Sequence, residues 1–255
     1  MKGHEGWDAY APYYDWENAR TMGRRDVRFW TGVAQRAGGR VLELGSGTGR
    51  LTVPLRRAGV PVVGIDRSAP MLARVRPRAR RGRGPVPPVL RGDITALPFA
   101  DATFPLVMAP YGLVQSLLSD VLLARTLREA ARVLVPGGML GIDLVPDVPR
   151  WREYTRKVVF FSPRGPRGLP LTLIETVRQD PRRGLTTFEQ EYVEGRGRSR
   201  QVTPFTIRFR TLPLPHLVAR VERAGFEVDT VLGDYQGREW DPRADALILL
   251  ARRAT

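Results

Sequence analysis

Val41-Leu-Glu-Leu-Gly-Ser-Gly-Thr-Gly-Arg50 decides how this chain of 255 residues is read. It is an apolar strand carrying one acid, then a tight glycine turn, then the start of a helix. Gly45, Gly47 and Gly49 alternate, and glycine takes positive φ and lets backbone approach a ligand closely. Such a turn between strand and helix marks the ligand end of an open α/β sheet. The spacing is not that of a phosphate loop, which needs Gly-x-x-x-x-Gly-Lys-Ser/Thr. Nor is it the dinucleotide pattern Gly-x-Gly-x-x-Gly, because the third glycine comes one residue early. Glu43 would also meet an incoming pyrophosphate with like charge. A ligand bearing an amino group or a sulfonium suits that carboxylate better.

A second acid-ended strand follows, Val60-Pro-Val-Val-Gly-Ile-Asp66. Asp66 lies about 20 residues past the first glycine, where such folds set a carboxylate on a ribose diol. Ser68 reads as the N-cap of a helix carrying Met71, Leu72 and Val75 on one face.

The segment Val41–Ala73 resembles motif I and the following motif of class I S-adenosylmethionine-dependent methyltransferases. Later segments agree in order. Arg91-Gly-Asp-Ile94 is similar to the acid-containing turn after the third strand. Leu97-Pro-Phe-Ala-Asp-Ala-Thr-Phe104 is similar to the loop before the fourth. Arg132-Val-Leu-Val-Pro-Gly-Gly-Met-Leu140 is similar to the helix end, Pro-Gly-Gly turn and fifth strand. The resemblance spans residues 7–147 well and the C-terminal part in outline. It departs at Pro105, where the family has an acid, a change at a strand entry rather than at a cofactor contact.

The resemblance implies an enzyme using S-adenosylmethionine and releasing S-adenosylhomocysteine. Backbone from Gly45 through Ser46, Gly47 and Thr48 to Gly49 would cradle the methionine part, with Glu43 positioning its amino end. Asp66 would take the ribose hydroxyls. Arg67 and Met71 would flank the adenine, Asp93 would accept its amine, and Ile94 would lie against the ring. Ala109, Tyr111 and Gln115, past strand four, would stand beside the sulfonium. Tyr14-Asp15 corresponds to the family's N-terminal Tyr-Asp pair, so Tyr14 is expected over the cofactor as a lid. Tyr14 and Tyr111 are the candidate catalytic residues; Tyr10, Tyr13 and His216 are further candidates for a base. Each has a plainer alternative: Asp93 as a turn residue, Met71 as core, the early aromatics as packing.

With 42% hydrophobic residues the chain can bury a core. It has no cysteine, so disulfides, thiolate metal sites and a cysteine nucleophile are excluded. Two histidines, His4 and His216, argue against a histidine-rich metal site. No signal-peptide pattern and no membrane-length apolar run is visible, so a cytoplasmic protein without a membrane partner is expected. The net charge is +15, almost all from arginine, with Lys only at Lys2 and Lys157. Arginine clusters at Arg74–Arg83, but no aromatic residues interleave with it as in a nucleic-acid module. Asn occurs only at Asn18, which fits a heat-adapted protein.

Strands alternating with helices from 41 to 144 predict a Rossmann-like, seven-stranded, mostly parallel sheet with helices on both faces. The expected elements are helix 7–36, strand 41–45, helix 48–58, strand 60–65, helix 69–76, a loop from Pro77 to Pro88, strand 106–109, helix 122–134 and strand 139–144. Period-two runs at Leu171–Val177, Thr187–Val193 and Phe205–Arg210 predict a small antiparallel β insert after strand five. The organisation follows: an N-terminal helical lid at 1–38, a cofactor-binding core at 39–149, the insert at 150–212 as substrate cover or dimer contact, and a C-terminal helix and hairpin at 213–255. The expected acceptor is a small molecule, methylated at nitrogen or oxygen, in a monomer or homodimer. An RNA acceptor, prompted by the charge, and a non-catalytic binding protein on the same scaffold stay open. Ala109-Pro-Tyr-Gly112 is not the Asn-Pro-Pro-Tyr type of motif that serves amino methylation of bases.

Overall fold

The computed structural model describes residues 6–145 and 152–255. The expected boundary at 149–150 lies outside the described residues. In chain order the elements are α1 Trp7–Asn18, α2 Val27–Ala37, β1 Val41–Leu44, α3 Thr52–Arg57, β2 Val62–Asp66, α4 Ala69–Leu72, α5 Val75–Arg81, β3 Val89–Arg91, β4 Phe104–Ala109, α6 Leu113–Ser116, α7 Asp120–Val133, β5 Leu134–Leu144, β6 Tyr154–Ser162, β7 Leu171–Asp180, β8 Leu185–Glu194, β9 Gln201–Arg210, α8 Leu214–Arg223, β10 Phe226–Leu232 and β11 Leu247–Arg253. They form two units, Arg24–Asp147 with Leu212–Thr255, and Met1–Gly23 with Val148–Thr211.

The larger unit holds a seven-stranded sheet in the order β10-β11-β5-β4-β1-β2-β3. Only β11 runs against its neighbours; the other pairings are parallel. The chain works outward from β1 to β3, then returns to place β4 and β5 on the other side. Strand order therefore reverses between β1 and β4, and ligands of such sheets bind at the carboxyl ends of the strands at that point.

Side-chain alternation along the strands splits the core between the two faces. Leu42, Leu44, Ile65, Val107, Ile142 and Leu249 pack with Leu123 and Leu127 of α7 and Leu217 and Val221 of α8. Val41, Val62, Leu106, Met108 and Ile248 pack on the opposite face with Trp30 and Val33 of α2 and Leu51 and Leu55 near α3. Glu43 and Asp143 have the same parity as Val41 and Gly141, which puts both acids on this second face.

The smaller unit is the antiparallel sheet β6-β7-β8-β9 with α1. Tyr10, Tyr13 and Trp16 recur every three residues and are buried. Tyr10 stacks on Phe205 and Tyr13 on Tyr192, each with ring centres 4.3 Å apart. Gly184, in the β7–β8 turn, has φ 59°, which a side chain would strain.

Several elements differ from the sequence reading. The helix expected from residue 48 starts at Thr52, because Gly47 and Gly49 have φ of 52° and 75° and keep residues 47–51 in turns. Pro77 lies inside α5 rather than opening a loop. As the third residue of that helix its missing N–H has no intrahelical acceptor to lose. The expected helix 7–36 is broken by turns between α1 and α2.

Candidate active site

The carboxyl ends of β1, β2 and β4 carry the glycine loop, Asp66 and the turn at Pro110–Gly112. Asp66 organises the first two. Its Oδ2 accepts the Gly47 N–H at 2.8 Å and its Oδ1 the Ser68 N–H at 2.8 Å. Ser68 also caps α4 by accepting the Met71 N–H at 3.2 Å. Packing sets the loop's path from below. A Cβ on Gly64 would lie 2.6 Å from the Ser46 side chain, and one on Gly45 would lie 2.7 Å from Leu113. Gly45 therefore lets the loop close on the segment after β4. Thr48 is buried, and Arg78 donates to its hydroxyl at 3.3 Å.

Asp93 lies in the turn after β3, where its Oδ1 accepts the Thr95 N–H and hydroxyl and its Oδ2 takes Arg67 at 3.1 Å. The Arg67–Asp93 pair is about half exposed. Met71 is buried and Ile94 packs partly against the first core cluster. Ala109 is buried at the end of β4. Gln115 exchanges two hydrogen bonds of 3.1 Å with the backbone of Val145, tying α6 to the end of β5. Tyr14 lies on α1 in the smaller unit, edge-on to Tyr10.

Glu43 sits beneath the loop, 3% exposed, and accepts the Thr52 hydroxyl at 2.5 Å. Burial pushes its carboxyl up to about 7, against the pull of Thr52 and the Arg50 charge. Asp143 is equally buried. Its Oδ2 takes the Trp30 indole N–H at 2.9 Å and the Tyr235 hydroxyl at 3.0 Å, and its Oδ1 takes the Tyr111 N–H. Burial and the Asp26 charge push it up to about 6. Both acids feel the charges of Arg50 and Asp26, which form a fork of two hydrogen bonds at 2.7 and 2.6 Å, and the Arg50 guanidinium carbon is 4.8 Å from the Tyr111 ring centre.

Asp26, Asp143, Trp30 and Tyr235 were not singled out by sequence reasoning. The available signal was an acid inside the apolar run Met139–Leu144 and an arginine directly after the glycine loop.

S-adenosylmethionine fits this set. A Cβ on Gly47, at φ 52°, would point toward Asp66 Oδ2 at 3.9 Å, so the missing side chain leaves room over that carboxylate. The buried Ser46 hydroxyl has no protein partner. Carboxylate oxygens accept more than one hydrogen bond, so Asp66 can hold the loop and a diol together.

Residues 41–138 match a family model described as a methyltransferase domain. Over 164 residues the chain is 35% identical to a demethylmenaquinone methyltransferase of Thermus thermophilus, covering 59% of this chain and 72% of that protein. Its fold is similar to the CcbJ methyltransferase of Streptomyces caelestis, with a TM-score of 0.77 at 23% identity over 91% of this chain and 90% of that one. It is also similar to S-adenosylmethionine-bound CalS10, an amino pentose methyltransferase of Micromonospora echinaspora, with a TM-score of 0.70 at 20% identity over 95% and 96%. No helix among the described residues is long and apolar enough to cross a membrane. The sheet reversal beside the glycine loop and the sequence relative lead to one conclusion: the chain belongs to the class I S-adenosylmethionine-dependent methyltransferases.

Proposed function

We propose that the acceptor is a small molecule and that the methyl group passes to its nitrogen or oxygen. The carrying observation is how the two buried carboxylates are used. Glu43 is bonded to Thr52, and Asp143 to Trp30, Tyr235 and the Tyr111 N–H, so both serve the scaffold rather than an incoming acceptor. Catalysis then rests on alignment, which can supply much of the barrier reduction. Bound S-adenosylmethionine supplies an electrophilic methyl group. Asp66 would hold its ribose, Asp93 and Arg67 its adenine with Met71 and Ile94, and the Gly45–Gly49 backbone its methionine part. Ala109 and Tyr111 would border the transfer point, with Gln115 fixing the end of β5 beside it. Tyr14 would act as lid, and Tyr14→Phe tests the part its hydroxyl plays.

A neutral amine suits such a site, because it attacks without prior loss of a proton. The amino pentose specificity named for CalS10 is in keeping with this reading. The test is radiolabelled methyl transfer into host extract split into polar small molecules, lipids and RNA. Label on nitrogen or oxygen in the polar fraction supports the proposal. Label in RNA, or on carbon in the lipid fraction, overturns it.

A further inference from the structure

The turn after β4 is gripped by groups outside the proposed cofactor contacts. Tyr111 has φ 57°, a left-handed conformation that is strained for a residue with a side chain. Two grips hold it there. From the backbone, the Tyr111 N–H donates to the Asp143 carboxylate, and the Gly112 N–H donates to the Asp143 carbonyl at 3.0 Å. From the ring, the Arg50 guanidinium lies over the aromatic face.

Arg50 is fixed in turn by Asp26, and both side chains are buried, 8% and 0% exposed. A buried ion pair is a weak stability device, since well-packed apolar residues of similar volume do as well or better. What apolar residues would not supply is a fixed cation beneath one aromatic ring. The fork of Arg50 onto Asp26 sets the guanidinium plane, and the plane sets the ring.

We propose that Asp26 and Arg50 are positioning residues for methyl transfer, fixing the Tyr111 ring between the ends of β1 and β4. This rests on the reading that places the transfer point at that turn. Asp26 and Arg50 act through Tyr111 and hold neither cofactor nor acceptor.

The test uses the full chain carrying 3-fluorotyrosine at position 111, observed by fluorine NMR, with S-adenosylhomocysteine as the binding probe. Arg50→Met alone strands a buried carboxylate and can unfold the protein. The working variant is therefore Asp26→Leu with Arg50→Met, which replaces the pair by apolar groups. The expected result is a thermal midpoint at or above wild type, a fluorine line moved toward that of free tyrosine, S-adenosylhomocysteine affinity within threefold, and methyl transfer into extract reduced at least tenfold. Arg50→Lys, which keeps the charge and loses the fork, is expected to fall between. An unmoved line in the double variant overturns the proposal, as does a moved line with undiminished transfer. The fluorine reading needs no acceptor, so failure to label small molecules would sink the functional reading without silencing this test.

Discussion

Thr52 donates its hydroxyl to Glu43 at 2.5 Å, joining the first residue of α3 to the strand that precedes the glycine loop. The bond closes the base of the loop. It also commits a carboxyl to a buried place, which gives the fold a pH dependence of known sign. Glu43 is pushed from the ordinary 4.5 up to about 7. Below about pH 4.5 the carboxyl is protonated whether folded or not, and its stabilising share is complete. As pH rises toward 7 the unfolded chain ionises it first, so stability falls. At 1.36 kcal/mol per pKa unit the loss is about 3 kcal/mol. Glu43→Gln keeps an acceptor for Thr52 and cannot ionise. Denaturant titrations from pH 4 to 8 are expected to show the variant losing this slope and gaining on wild type by about 2–3 kcal/mol at pH 8. Parallel curves for the two proteins would contradict it.

Asp66 gives a sharper test of cofactor binding. Each of its oxygens accepts a backbone N–H, from Gly47 and from Ser68. Asp66→Asn must turn an amide donor toward one of them. Hydrogen bonds to charged groups are worth about 1.5–3 kcal/mol, so S-adenosylhomocysteine affinity is expected to drop about 10- to 100-fold by calorimetry. The thermal midpoint should move by only a few degrees. Unchanged affinity would remove Asp66 from the site.

The sheet was legible because its signal is local. Val41–Leu44 and Val62–Asp66 are apolar, end at an acid or glycine and stand a helix apart, and a parallel sheet needs little more. β6 was harder. Its Tyr154–Ser162 run does not alternate, its pairing slips twice against β7, and Arg156 has φ 49°. The ionic layer under the loop was hardest. Asp26, Arg50 and Asp143 are 24 and 93 residues apart in sequence, and only the folded sheet brings them together. Residues that bind through backbone geometry leave a spacing pattern; those that meet by tertiary packing leave none.

Gly141 shows what such packing demands. A Cβ there would lie 2.6 and 2.8 Å from Cζ3 and Cη2 of Trp30, a rigid ring with no room to yield. The indole packs against β5 at Gly141, and its N–H reaches Asp143 two residues on. Gly141→Ala is expected to cost about 1–3 kcal/mol by overpacking and to release that hydrogen bond. A fall in thermal midpoint with a shift in tryptophan emission would report both. An alanine variant with wild-type midpoint and emission would mean the ring moves freely.

The smaller unit carries its own polar centre at Glu17. It accepts the Tyr10 hydroxyl at 2.6 Å, the Gln190 amide at 3.2 Å and the Tyr192 hydroxyl. Burial raises the Glu17 carboxyl even against these three bonds, and burial with the Glu17 charge raises Tyr10 and Tyr192. Glu17→Ala would take from Tyr10 and Tyr192 their shared acceptor, leaving Tyr192 with Gln190 Oε1 at 3.0 Å, and an unpaired buried donor costs about 1–3 kcal/mol. Glu17→Gln keeps an acceptor and should cost less. Because α1 packs with β8 and β9 in one unit, the damage should stay there. Hydrogen exchange is expected to show the amides of β8 losing protection in Glu17→Ala while those of β1 and β4 keep theirs. Equal loss in both sheets would mean that the two units unfold as one.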